Sequence, residues 1–151
     1  MYGSFNDPWP IILQLAGTTM EQLRSDVTLL RLQLILVCRF LALYRSSDLA
    51  NLKRSVSVLT GSPFIKIRRK GQKFPQCEKV LSLPEWPQIS PAHLLQLYVG
   101  LTRNQAKPGG PVLLSLQAPF KALSPDRVGS LTKEALQKFG VPMNVFGPHS
   151  T

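Results

Sequence analysis

Residues 55–84 read SVSVLTGSPFIKIRRKGQKFPQCEKVLSLP, and the reading of this stretch decides the fold. Ser55-Val56-Ser57-Val58-Leu59 alternates polar and apolar residues, Thr60-Gly61-Ser62-Pro63 turns the chain, and Phe64-Ile65-Lys66-Ile67-Arg68 alternates again. A period of two is the mark of an extended strand with one covered face. Lys70-Gly71-Gln72-Lys73 makes a second turn, and Glu78 to Pro84 reads as a third short strand. The stretch predicts a small three-stranded antiparallel sheet.

On both sides of it the texture is helical. Upstream, Thr18-Thr19-Met20-Glu21 has the form of a capping box, a hydroxyl N-cap with a glutamate three residues on. Ser25-Asp26 offers a restart, and Val27 to Tyr44 is apolar on most sides. A helix so apolar all round belongs at the centre of a small domain. Ser46, Ser47 and Asp48 can cap a short helix carrying Leu49 and Leu52. Downstream, Ser90-Pro91 opens a helix through Leu101, with Ser as N-cap and Pro at the first helical position. A Gly/Pro loop follows at 107–111, and Ser124-Pro125-Asp126 opens a last helix that stops at Gly140. The order helix, sheet, helix predicts an α+β domain, mostly helical, over residues 18–151, with residues 1–17 as an N-terminal tail.

Composition bounds the function. A chain of 151 residues can bury roughly 70% of its unfolded surface, enough for one domain with its own core. With 44% hydrophobic and 17% charged residues it is not a disordered tail. Cys38 and Cys77 are too few for a disulfide scaffold, and with His93 and His149 they lack metal-ligand spacing, so no metal site is expected. No Gly-rich phosphate loop and no G-x-S-x-G elbow is present. The N-terminus lacks the basic region of a secretory signal. Leu29 to Leu43 is interrupted by Arg31 and Arg39 and reads as a buried helix rather than a membrane span. An intracellular, reducing location is expected.

The charge is the strongest functional signal. Eighteen Lys and Arg stand against eight Asp and Glu, a net +10 that favours a polyanionic partner. Nine of the eighteen lie between Arg45 and Lys79, against Asp48 and Glu78 alone. Lys66, Arg68 and Lys70 fall on one side of an extended strand, where three cations can follow a phosphate backbone. Cations also protect an edge strand from aggregation, and composition alone leaves the two readings even.

Three segments together resemble the tyrosine recombinases, the phage integrase family. Leu43-Tyr44-Arg45-Ser46-Ser47-Asp48-Leu49-Ala50-Asn51-Leu52 is similar to that family's first arginine box, where an apolar helix ends in Arg followed by Ser and an acidic residue before Leu. Ile67-Arg68-Arg69-Lys70-Gly71-Gln72-Lys73 resembles its β-hairpin with a Lys-Gly-x-Lys turn. Gly147-Pro148-His149-Ser150-Thr151 resembles the start of its His-x-x-Arg box, and the wording around Ser46-Ser47-Asp48-Leu49 and His149-Ser150-Thr151 is similar to recombinases of eukaryotic mobile elements. The resemblance spans about residues 25–151 and implies the first part of a recombinase catalytic domain, including the small three-stranded sheet.

The resemblance implies that family's chemistry. A tyrosine attacks a DNA phosphodiester, a covalent phosphotyrosyl link forms, and the strand is later rejoined. The resemblance implies Arg45 as a phosphate-binding arginine, Lys70 as the acid that protonates the leaving 5′ oxygen, and His149 as an assisting group. Lys66, Arg68, Arg69 and Lys73 would contact DNA. No cofactor is implied, since the phosphotyrosine conserves the bond energy. The implied partner is duplex DNA, with self-association on DNA in the intact protein, no membrane, and a DNA-associated location, the nucleus in a eukaryote.

The family's second arginine, its later His/Trp position and its nucleophilic tyrosine all belong beyond residue 151, and Tyr2, Tyr44 and Tyr98 precede His149. The expectation is therefore a truncated catalytic domain that is inactive alone. Without the resemblance, Arg45 reads as a helix-end arginine, Lys70 as a turn lysine with Lys73 equally placed, and His149 as a terminal residue. Two other functions stay open: a non-catalytic basic nucleic-acid-binding module, and a helical protein-interaction domain.

Overall fold

A computed structural model describes residues 9–42, 44–54, 64–67, 76–79 and 85–140, with backbone alone at 9–11, 64–67 and 76–79. Its centre is the helix that buries the apolar run after Asp26. Asp26 ends α2 (Met20–Ser25) and at once caps α3 (Val27–Phe40), its carboxylate accepting the Leu29 N–H at 3.1 Å. Every residue of α3 from Leu30 to Cys38 is buried. Around it pack α2, α4 (Ser46–Ala50), α5 (Pro91–Leu101) and α6 (Pro125–Lys138).

Local chemistry explains most boundaries. Thr19, one residue later than the sequence suggests, is the N-cap of α2, and Gln22 rather than Glu21 closes the capping box. Ser90 caps α5 and Ser124 caps α6, each followed by Pro at the first helical position, where no N–H is required. Gly140 follows the last helical turn at φ +72°, a conformation that costs other residues a Cβ clash. Part of the expected tail is ordered too: α1 (Trp9–Leu15) tolerates Pro10 in its first turn and packs against the 3-10 turn Pro87–Ile89.

Gln33 fastens that corner. Its buried amide donates to the carbonyls of Leu15 at 3.1 Å and Gln88 at 2.5 Å, and it accepts from Thr18 Oγ1 at 2.7 Å. One polar side chain on an apolar helix thus satisfies the end of α1 and the 3-10 turn together.

The expected α+β domain with a three-stranded sheet is not what forms. The described residues make a helical fold, in which β1 (Phe64–Ile67) and β2 (Gln76–Lys79) pair antiparallel in a ribbon of two strands. Phe64 stands opposite Lys79, Lys66 opposite Cys77 and Ile67 opposite Gln76. Glu78 and Lys79, assigned by the sequence to a third strand, are spent in the second. Ser55 to Leu59 and residues 80–84 lie outside the described residues. The physical reason is that alternation reports an extended backbone without naming its partner, while the core is supplied by helices: the buried apolar cluster runs from Leu15 to Leu52 and from Ile89 to Phe139.

A second buried element is irregular. Residues 110–114 carry three side chains buried in the core, Val112, Leu113 and Leu114, yet belong to no helix or strand. Buried backbone must still be hydrogen-bonded. Two arginines do most of this. Arg54 donates its backbone N–H to Gly110 O at 2.8 Å, Nε to Pro111 O at 2.9 Å and Nη2 to Val112 O at 2.9 Å. Leu123 N–H takes Leu113 O at 3.3 Å, and Arg31 Nη1 takes Leu114 O at 2.8 Å. Five successive carbonyls are satisfied.

Candidate functional site

Among the described residues three arginines are drawn inward: Arg31 and Arg54 are buried and Arg39 is half-buried. Desolvation lowers the guanidinium pKa of each, and they hold carbonyls and hydroxyls. Arg45 does the opposite. It is exposed while Tyr44, Ser46, Asp48, Leu49 and Ala50 around it are buried.

The backbone explains that display. After α3 the chain turns tightly, with Leu41 and Ala42 N–H groups both on Val37 O and the Tyr44 N–H on Cys38 O at 3.0 Å. The buried Tyr44 side chain anchors the turn in the core. Arg45 is then the extended N-cap residue of α4, at φ −83° and ψ 163°, and its carbonyl accepts the first helical bond from Leu49. Asp48 Oδ2 accepts the Arg45 backbone N–H at 2.9 Å. On the other edge of the same peptide group, Arg39 Nε donates to Tyr44 O at 3.2 Å. The Tyr44–Arg45 peptide is held from both sides, which fixes where the Arg45 side chain leaves the surface.

Arg39 is itself tied to the last helix. Its Nη1 donates to Thr132 Oγ1 at 2.9 Å, and that buried hydroxyl donates to Val128 O at 2.8 Å. Sequence reasoning passed over Arg39 and Thr132. The signal was present: an arginine inside an apolar helix, six residues before Arg45, must find acceptors when the helix is buried.

The other site residues divide simply. Lys66 lies in β1 with Cys77 opposite. Arg68, Arg69, Lys70, Lys73 and His149 lie outside the described residues, so Arg45 is the one implied catalytic residue with a described environment. Asp48 is buried, and its Oδ2 accepts from the backbone N–H of Arg45. His93 is half-buried, its Nδ1 3.0 Å from Oγ of the α5 cap Ser90, which accounts for it as part of a helix start. Tyr44 and Tyr98 are both buried, 4% and 0% exposed, and burial raises the Tyr98 phenol pKa.

Among the described residues no group of three or more His, Cys, Asp or Glu gathers as a metal site, and no helix is long and apolar enough to cross a membrane. Further exposed cations are Arg24, Lys53, Arg103, Lys107, Lys121, Arg127, Lys133 and Lys138. Comparison with family models, with curated proteins and with solved structures gave no match to this chain.

Proposed function

We propose that this chain binds duplex DNA through its phosphates and is a piece of a tyrosine-recombinase catalytic domain, with Arg45 as a phosphate-binding arginine. The observation that carries the reading is the Arg45 corner. A guanidinium is exposed on a peptide pinned by Arg39 and Asp48, within the segment Tyr44 to Leu49 that resembles the family's arginine box. A planar fork of donors held on rigid backbone suits a phosphate oxygen pair, and pre-positioning lowers the entropy lost on contact. The net +10 and the cations of residues 66–73 supply the long-range attraction such a contact needs. The proposal does not rest on a three-stranded sheet.

Fluorescence anisotropy with a labelled 20-base-pair duplex tests it. Binding falls steeply with salt, and Arg45→Ala reduces the slope of log affinity against log salt by about 0.9, the share of one phosphate contact. Replacing Lys66, Arg68 and Lys70 together by Ala reduces it by about three such shares. Binding that ignores salt would point instead to the protein-interaction reading.

A further inference from the structure

Arg39 lies outside every motif that suggested a function, yet it touches a backbone group that helps to aim Arg45. A carbonyl and the following N–H belong to one rigid plane, because the C–N bond has partial double-bond character. Arg39 holds the oxygen edge of the Tyr44–Arg45 plane at 3.2 Å, and Asp48 holds the nitrogen edge at 2.9 Å. With both edges held, the plane cannot rotate about its Cα–Cα axis without breaking a bond. With the Arg45 carbonyl also tied to the Leu49 N–H at 3.1 Å, the direction of the Arg45 Cα–Cβ bond is set before any ligand arrives.

The grip depends on how Arg39 is held. Its Nε–H and Nη1–H point from one planar fork to two acceptors, Tyr44 O on the turn after α3 and Thr132 Oγ1 on α6. Lysine has no such fork. Thr132 is fully buried, and its proton is committed to Val128 O, so its oxygen is presented as an acceptor to Arg39. The last helix is thereby connected through one side chain to the peptide that carries Arg45.

We propose that Arg39, seated on Thr132, is a positioning residue for Arg45: it orients the phosphate-binding guanidinium through the Tyr44 carbonyl and does not itself contact DNA. The proposal rests on the phosphate reading of Arg45, and a double-mutant cycle separates the two. Four proteins are compared on the same labelled duplex: the parent chain, Arg45→Ala, Arg39→Lys and the double variant. Melting of each is followed by circular dichroism.

Arg45→Ala weakens binding roughly tenfold at low salt, as expected when one phosphate contact is lost. Arg39→Lys keeps the net charge, yet weakens binding by a comparable factor and lowers the salt slope. In the Arg45→Ala background Arg39→Lys has no further effect on binding, because there is no guanidinium left to aim. A merely structural arginine gives a different pattern, with equal weakening in both backgrounds that follows the loss of melting temperature; that result overturns the positioning role. If Arg45→Ala binds as the parent does, the phosphate reading itself fails and takes this proposal with it. Thr132→Val leaves the charge of Arg39 in place and removes its second acceptor. It repeats the test if Arg39→Lys does not fold, and must show the same dependence on Arg45.

Discussion

Nη2 of Arg54 donates to Thr102 Oγ1 at 2.7 Å across 48 residues of sequence, and the Thr102 hydroxyl passes its own proton to Tyr98 O at 2.7 Å. The same guanidinium satisfies Pro111 O and Val112 O. It therefore joins the end of α5 to the irregular buried segment that follows. Arg54→Met keeps much of the volume but strips several acceptors of their donor. Each buried orphan costs about 1–3 kcal/mol, so a total loss near 3 kcal/mol is expected in urea unfolding. Thr102→Val, which leaves the arginine its carbonyl partners, should cost about 1 kcal/mol.

Cys38 is fully buried on α3, and burial pushes its thiol from 9.0 up to about 12. Between those values the unfolded chain has lost the proton while the folded chain keeps it, so ionisation favours unfolding. Stability should fall as pH rises above 9, by roughly 1 kcal/mol per pH unit from this group. In a Cys77→Ser background, native Cys38 should react with a thiol reagent at pH 8 roughly a thousandfold slower than a free thiol. Cys38→Ala should flatten the alkaline loss; an equally steep loss would assign it to other groups, the buried Tyr98 first.

Ser124 caps α6 by accepting the Arg127 N–H at 3.1 Å. Ser124→Ala should destabilise by about 1 kcal/mol, and Ser124→Asp should restore most of it, since a carboxylate caps as well and favours the helix start. Melting temperature reports both. If Ser124→Asp is as unstable as Ser124→Ala, Pro125 rather than the cap sets this helix start.

These caps were legible because they join groups three residues apart. Ser90, Ser124 and Gly140 announce themselves in a window of five residues, and the small error at Thr19 arises because Thr18 and Thr19 carry the same hydroxyl. Thr18 instead bonds Gln33 Oε1 and Leu15 O, a choice made by tertiary structure. The order of α1 was hidden for the same reason, since Gln33, 18 residues beyond Leu15, supplies a partner for its end. Arg31 meets its carbonyl 83 residues away and Arg54 its hydroxyl 48 away, so neither partner could be read from the local sequence. The same distance hid the site: Arg45 carries a readable motif, whereas Arg39 matters through Thr132, 93 residues on.

Strand cleavage by a tyrosine recombinase needs an accessible tyrosine, and both tyrosines with a described environment are packed away, Tyr44 in the turn before Arg45 and Tyr98 with its hydroxyl 3.4 Å from the Leu114 amide. No covalent adduct should form when the 151-residue chain meets a nicked duplex. A labelled band that survives denaturing electrophoresis and disappears with Tyr44→Phe or Tyr98→Phe would contradict this. Tyr98→Phe should instead register as lost stability of about 1 kcal/mol, with DNA affinity unchanged.

The carbonyls of residues 110–114 are all engaged, whereas Lys107, Pro108 and Gly109 just before them are exposed, with Gly109 at φ 74°. Two neighbouring stretches of one connection therefore differ sharply in how they accept foreign sequence. A peptide tag or fluorophore-bearing loop can be spliced in at 107–109, where the residues are exposed and the graft gives up one turn bond, Gly110 N–H to Lys107 O. A few residues later the same graft would sever the arginine clamps and open the interior, so the permissive window for engineering this protein closes at Gly110.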